Sequence, residues 1–99
     1  MINIDQQSLA SITALLKQHL SKDVQVYAFG SRVKNTSRKN SDLDLVLVSD
    51  TALAPAVLFS LKEAFEASDI PFRIDLSDWR LLSESFKPFI EKEKIRILF

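Results

Sequence analysis

The sequence predicts a single α+β domain, residues 1–99, in which helices and strands share one hydrophobic core. The chain is 46% hydrophobic and 26% charged, a composition typical of a folded globular protein. Apolar residues recur at helical spacing in some segments and at strand spacing in others. These segments follow one another as helix, strand, strand, helix, strand and helix. A chain of 99 residues builds one core, so we expect the helices to pack on the strands.

Charge and residue usage exclude several classes of function. Thirteen basic and thirteen acidic residues cancel, so no global field draws the chain to nucleic acid or to a membrane. The chain has no cysteine and a single histidine, which excludes disulfides, a thiolate nucleophile and the common zinc sites. It shows no signal-peptide pattern and no apolar run near the ~20 residues of a membrane span. We therefore expect a cytoplasmic protein.

A first helix is predicted to begin at Asp5 or Ser8 and to end near Leu20. Both candidate caps are residue types that favour helix starts, and an apolar stripe follows at helical spacing. That stripe consists of Leu9, Ile12, Leu15, Leu16 and Leu20. After a polar break, residues 24–29 are mostly apolar and predict a buried β-strand.

Gly30 and Ser31 come directly after this strand, and Gly30 is the only glycine in the chain. A lone glycine at a strand end indicates a turn with unusual backbone angles, or a place where a ligand approaches the main chain. Ser31 adds a hydroxyl and an N–H group at the mouth of that turn. A Gly-Ser pair alone is also compatible with an ordinary turn.

Ten residues separate Ser31 from two carboxylates at the start of the next strand. Asp42 and Asp44 flank Leu43 and precede the apolar residues 45–48. Successive strand side chains point to opposite faces, so the two aspartates are expected to share one face, with Cα atoms about 6.5 Å apart. Such a pair repels unless a cation lies between the carboxylates, and oxygen ligands suit Mg²⁺. A solvated strand entry is the alternative explanation of the same pattern.

The segment between the turn and the aspartates is basic. It contains Arg32, Lys34, Arg38 and Lys39 and no acidic residue. A solvated basic loop is the ordinary explanation, but here the cations stand between a Gly-Ser turn and a carboxylate pair. Such an arrangement can hold a polyphosphate, with turn N–H groups at one end and a metal ion at the other. The pattern also permits a short helical turn directly after Ser31.

A second helix and a third strand follow. Pro55 fits the first turn of a helix that ends near Ser68. Residues 72–76 alternate as a half-buried strand does, and Asp75 faces away from its apolar neighbours. If this strand pairs beside the second one, Asp75 joins the other two carboxylates. Otherwise Asp75 lies on the solvent face of an edge strand.

A last helix is predicted from Ser77 or Asp78 as its cap. Pro88 lies inside its apolar pattern, so the helix should kink or restart there. The run of residues 95–99 is apolar apart from one arginine and predicts an edge strand or a contact with a partner. The apolar face of the helix is expected to consist of Leu81, Leu82, Phe86, Phe89 and Ile90.

These motifs resemble the minimal nucleotidyltransferase (MNT) domain of the DNA polymerase β superfamily. The resemblance rests on Gly30-Ser31, on Asp42-Leu43-Asp44 ten residues later, and on Asp75. It extends over nearly the whole chain, including the order of helices and strands. One departure is Asn35, which stands where the family often has a second glycine. Asn tolerates a left-handed backbone better than most residues, so the loop path can survive this change.

The resemblance implies a small mixed β-sheet flanked by helices, the polymerase β-like nucleotidyltransferase fold. It also implies transfer of a nucleoside monophosphate, with ATP as the expected donor, to a hydroxyl acceptor. By that resemblance the catalytic and metal-binding residues are Asp42, Asp44 and Asp75, which would hold two Mg²⁺ ions. The residues expected to bind the nucleotide are Gly30, Ser31, Arg32 and Lys34.

Small stand-alone MNT proteins are similar to the antitoxins of bacterial and archaeal HEPN–MNT pairs. In those pairs the MNT protein binds a HEPN ribonuclease and adenylylates a tyrosine near its active site. The resemblance therefore implies a HEPN-type toxin as partner and acceptor. An alternative of a different class is a non-catalytic antitoxin that neutralises its partner by occlusion, but the presence of all three aspartates favours the enzyme. Direct binding of nucleic acid through the basic loop is disfavoured by the zero net charge.

Overall fold

The structure, a computed structural model, describes residues 2–34, 36 and 41–99. The helices are α1 (Gln6–His19), α2 (Ser31–Lys34), α3 (Pro55–Glu66) and α4 (Lys87–Glu93). The strands are β1 (Gln25–Phe29), β2 (Leu43–Val48), β3 (Ile74–Asp78) and β4 (Ile95–Ile97). The predicted α+β class and the predicted short helix after the Gly-Ser turn are confirmed. Five residues of the predicted basic loop, 35 and 37–40, lie outside the described residues, and Asn35, Arg38 and Lys39 are among them.

The four strands form one mixed sheet in the order β3-β2-β1-β4. β1 pairs antiparallel with both β2 and β4, whereas β2 and β3 run parallel. The parallel pair requires a crossover connection, which α3 provides between the two strands. The expected pairing of the third strand beside the second is confirmed, and the C-terminal apolar run contributes β4 as an edge strand.

Each face of the sheet is covered by helices, and the side chains of β2 alternate between them. The face under α1 and α3 holds the main core, which contains the fully buried side chains of Leu43, Leu45 and Leu47. On the opposite face Ile90 of α4 packs with Phe29 and Val46 in a smaller core. Asp44 stands between Leu43 and Leu45 in the strand and therefore lies on the α4 side of the sheet.

The starts of α1 and α3 follow the predicted signals. Asp5 is the N-cap of α1, and its carboxylate accepts a hydrogen bond from the backbone N–H of Ser8 at 3.0 Å. Pro55 begins α3, where its missing N–H leaves no helical hydrogen bond unmade. Within the described part of the chain, no helix is long and apolar enough to cross a membrane.

The predicted last helix is shorter than expected and begins later. Residues Ser77 and Asp78 belong to β3, and Asp78 caps only a 3₁₀ turn, Trp79–Leu81, by accepting a hydrogen bond from the Arg80 N–H at 3.0 Å. The helix itself starts at Lys87 because Pro88 is tolerated only in a first turn. Leu81 is 81% exposed, so the periodic apolar pattern that predicted a longer helix does not mark one buried stripe.

Candidate active site

The Gly30 turn joins β1 to α2 and has the conformation that its glycine suggested. Gly30 has a φ of +85°, in the left-handed region that other residue types rarely adopt. Its carbonyl accepts hydrogen bonds from the N–H groups of Val33 and Lys34, at 3.0 and 3.1 Å, which starts the short α2 helix. The chain therefore passes from the end of β1 into α2 through this single residue.

Gly30 also leaves room for the carboxylate of Asp44. The antiparallel register of β1 and β2 places Phe29 opposite Asp44, so the turn begins directly beside that aspartate. A Cβ added at Gly30 would clash with Oδ2 of Asp44 and lie 3.3 Å from its Cγ. The glycine is thus required both for the backbone angle and for the close approach of the carboxylate.

The parallel pairing of β2 and β3 brings Asp75 beside Asp44. The two residues are register partners on neighbouring strands, which lie about 4.8 Å apart. Asp44 is half-buried, whereas Asp75 is exposed. Asp42 precedes β2 by one residue and is also exposed. All three predicted aspartates therefore lie at the end of the sheet where β2 and β3 begin.

Asp44 lies in an environment that disfavours the charged form of its carboxyl group. Burial raises the pKa of Asp44 above its ordinary value of 3.8, and the negative charges of Asp75, Asp42 and Glu93 raise it further. The ion pairs found within residues 2–34, 36 and 41–99 involve none of the three aspartates. In the same residues no three acidic or histidine side chains converge on one point as a ready-made metal site.

A cleft of about 380 Å³ opens beside Asp44, between the sheet edge and α4. Its polar lining consists of Gly30, Lys34, Asp44, Asp75, Ser77 and Glu93. Its apolar lining consists of Phe29, Phe86, Phe89 and Ile90. Of the predicted site residues, Asp42, Ser31 and Arg32 are not part of this lining.

Glu93 is a site residue that the sequence did not reveal. Its Oε1 accepts a hydrogen bond from the Gly30 N–H at 3.1 Å, and its Oε2 pairs with Nζ of Lys34 at 3.2 Å. A glutamate in the last turn of a short helix, 63 residues after the glycine, carries no motif that links the two. Only the packing of α4 across the sheet brings the carboxylate to the turn.

Arg32 has a different environment from the one expected for a nucleotide-binding residue. Its guanidinium is buried and donates hydrogen bonds to the Ser41 carbonyl, from Nε at 3.0 Å and from Nη2 at 2.8 Å. Nη1 donates to the Asn3 carbonyl at 2.8 Å, and the group lies 4.0 Å from the ring centre of Phe72. Arg32 therefore ties the residue before Asp42 to the N-terminal segment and to the entry of β3. Since the side chain is buried, it is not presented to nucleic acid.

The chain matches a protein-family model described as "Polymerase beta, Nucleotidyltransferase" over residues 10–98. It is also similar to a probable protein adenylyltransferase MntA of Haemophilus influenzae. The two sequences are 45% identical over 91 residues, which cover 92% of this chain and 79% of that protein.

Two solved structures have the same fold. A crystal structure of a toxin–antitoxin with AMP-PNP superposes with a TM-score of 0.74 at 24% identity, covering 91% of this chain and 72% of that one. A chain from the structure of a tri-AMPylated Shewanella oneidensis HEPN toxin in complex with an MNT antitoxin superposes with a TM-score of 0.67 at 20% identity, covering 96% of this chain and 72% of that one. At these identities the likeness establishes the fold.

Proposed function

Because this chain belongs to the polymerase β nucleotidyltransferase family, we propose that it transfers AMP from ATP to a hydroxyl group of a partner protein. One observation carries the proposal. Asp44 and Asp75 are register partners at a sheet edge, and the Gly30 turn lies against Asp44 at the mouth of the same cleft. Phosphoryl-group chemistry depends on positioning and charge neutralisation, so a few residues at one edge suffice.

The triphosphate is proposed to lie along the Gly30 turn. The Gly30 N–H donates a hydrogen bond to the Glu93 carboxylate at the cleft, which supports the proposal that a phosphate oxygen takes this place when the nucleotide binds. Lys34 supplies a positive charge beside it, and Ser31 adds a hydroxyl at the start of α2. We propose that Arg32 positions Asp42, because its guanidinium donates hydrogen bonds to the carbonyl of Ser41, the residue before Asp42.

The chemistry of the donor set fits Mg²⁺. Asp42, Asp44 and Asp75 offer hard oxygen ligands, and the pKa of Asp44 is raised by burial and by the charges of Asp75, Asp42 and Glu93, which supports a site that a bound cation would stabilise. We propose that these three residues hold the ion, and a second ion where the full site assembles with nucleotide. Bound Mg²⁺ would neutralise the triphosphate and stabilise the entering and leaving oxygens.

The residues of the chain then act on the acceptor. Asp75 is exposed at the edge of the cleft and is proposed to orient the acceptor hydroxyl and to take its proton. The hydroxyl oxygen forms a bond to the α-phosphorus of ATP, and the bond from that phosphorus to the oxygen bridging to the β-phosphate breaks. Pyrophosphate leaves, so the acceptor retains AMP.

The partner is proposed to be a HEPN-type toxin, with a tyrosine as acceptor and the protein acting as its antitoxin. Three observations support this proposal. The Haemophilus influenzae relative is described as a protein adenylyltransferase. Solved complexes of the same fold contain an MNT antitoxin with a HEPN toxin, one of them tri-AMPylated. The described part of the chain presents the reactive edge on its surface, where a protein acceptor can reach it. Use of ATP also fits a cytoplasmic location.

Intact-mass spectrometry of the candidate partner tests this function. A candidate HEPN-type partner is incubated with this protein, ATP and Mg²⁺, and we expect its mass to rise by that of one or more AMP groups. The increase should vanish with Asp42→Asn and remain with Asp69→Asn, which removes an exposed carboxylate that does not line the cleft. A tight complex without any mass increase would contradict transfer and favour neutralisation by binding alone.

Replacing Glu93 with Gln is expected to tighten binding of the nucleotide. In the described structure the Glu93 carboxylate holds the Gly30 N–H and Lys34, the two groups proposed to bind the triphosphate. The amide keeps the shape of the side chain but removes the competing charge, so the Kd of MgATP should fall by about 2- to 10-fold. Isothermal titration calorimetry measures this change.

Glu91→Gln is the matched control for that measurement. Glu91 lies on the same helix and is half-exposed, but it pairs with Lys94 at 2.8 Å and does not line the cleft. Its replacement alters net charge equally, so it should leave the Kd within twofold of the wild-type value. A Kd that rises in Glu93→Gln would mean that Glu93 helps to bind the nucleotide complex instead of competing with it.

A further inference from the structure

The apolar half of the cleft contains two phenyl rings that remain partly exposed in the described part of the chain. Phe86 is 43% exposed and Phe89 is 69% exposed, whereas Phe29 and Ile90 beneath them belong to the smaller core. Large apolar side chains in a concave site beside convergent polar groups are typical of ligand-binding pockets. We therefore expect a ligand or a partner to contact these two exposed rings.

The core below holds both rings in place. Phe86 lies edge-on to Phe29, with ring centroids 6.2 Å apart and planes at 76°. Phe89 lies in the first turn of α4, directly before Ile90, which is fully buried against Phe29. The Phe86 ring and the α4 backbone that carries Phe89 are therefore positioned before a ligand binds, which lowers the conformational entropy lost on binding.

We propose that Phe86 and Phe89 form the wall on which the nucleobase of the donor nucleotide stacks. The inference rests on the proposed function and adds a base-binding subsite to it. The rings line the same cleft as the Gly30 N–H and Lys34. A ligand that contacts both the polar and the apolar lining would carry negative charges at one end and a flat apolar group at the other. A nucleoside triphosphate has this division, and every base has a π-face that stacks on an aromatic ring.

The size of the cleft agrees with this occupant. A volume of about 380 Å³ lies within the range of small-molecule sites, which runs from about 300 to 1,000 Å³. A side chain from a protein partner could cover Phe89, but it would not also reach the Gly30 N–H and Lys34, which Glu93 holds in this structure and which a triphosphate would take over. The presence of both groups in the cleft that contains the rings therefore favours the nucleotide.

The test compares two probes on Phe89→Ala by calorimetry in the presence of Mg²⁺. AMP-PNP carries both base and triphosphate, whereas inorganic tripolyphosphate carries only the polyanion. We expect the Kd of AMP-PNP to rise about tenfold, the factor that corresponds to about 1.4 kcal/mol of lost stacking. The Kd of tripolyphosphate should stay within twofold, and Phe89→Tyr should restore AMP-PNP binding because its ring also stacks.

Phe59→Ala is the matched control, since Phe59 is 62% exposed on α3 and does not line the cleft. It should change neither Kd. An unchanged Kd of AMP-PNP in Phe89→Ala, or an equal loss for both probes, would overturn the base-stacking subsite while leaving the proposed transferase intact. Failure of the wild-type protein to bind either probe would instead overturn the proposed function, and the subsite with it.

Discussion

Asp44→Asn is expected to lower nucleotide transfer by about 1,000-fold or more while preserving the fold. Asp44 is the central carboxylate of the site, paired in register with Asp75 and in contact with the Gly30 turn. Asn has nearly the same shape but carries no negative charge, so it removes a metal ligand and its charge stabilisation without creating a cavity. Transfer is measured by AMP incorporation into the partner, and Asp69→Asn is the control. Retained transfer in a correctly folded Asp44→Asn protein would exclude the proposed role of Asp44.

The same substitution is expected to stabilise the protein at neutral pH. The pKa of Asp44 is raised in the folded state by burial and by Asp75, Asp42 and Glu93, so the folded protein holds this proton more readily than the unfolded chain. Stability is therefore lost as the pH rises from the ordinary value of 3.8 through the raised one, because the carboxylate ionises where its charge is unfavourable. Asn cannot ionise and avoids that loss.

Thermal unfolding in the presence of EDTA measures this effect. We expect the Tm of Asp44→Asn to exceed that of the wild type by about 2–4 °C at pH 7, and the difference to vanish near pH 3, where both side chains are neutral. A Tm below the wild-type value at pH 7 would show that the ionised carboxylate makes a net stabilising contact.

Gly30→Ala is expected to impair both stability and activity. A residue with a side chain is strained at a φ of +85°, and the new Cβ would clash with the Asp44 carboxylate. We expect a loss of about 1–3 kcal/mol in the free energy of unfolding. We also expect about a hundredfold loss of transfer, because a displacement of about 1 Å at a catalytic group has this effect. Chemical denaturation and AMP incorporation measure the two losses.

A double-mutant cycle separates the two causes. In Asp44→Ala the carboxylate that meets the Cβ is absent, so adding Gly30→Ala should lower stability by less than it does in the wild-type background. The remaining loss is the backbone strain. Strict additivity of the two substitutions would show that the clash contributes nothing and that the strained φ alone makes the glycine necessary.

The local elements, and the residues proposed for the site, were predicted from short-range patterns. Alternation and helical spacing identified most helices and strands, although the last helix starts nine residues later than Asp78 because Pro88 fixes its first turn. The lone Gly30 and the carboxylates of Asp42 and Asp44 stood out because their residue types and spacing are rare in combination. The place of Asp75 beside Asp44 was conditional on strand pairing, which the register confirms.

Short-range sequence patterns specify the kinds of element, the Gly-Ser turn and the three aspartates, since each is encoded within a few neighbouring residues. Which distant groups meet depends instead on the tertiary fold. It placed Glu93 on the Gly30 N–H, buried Arg32 against the Ser41 carbonyl and left Phe89 open in the cleft. Those contacts join residues up to 63 positions apart, and they depend on how α4 and the strands pack. Packing is a property of the whole core, so no local pattern specifies it.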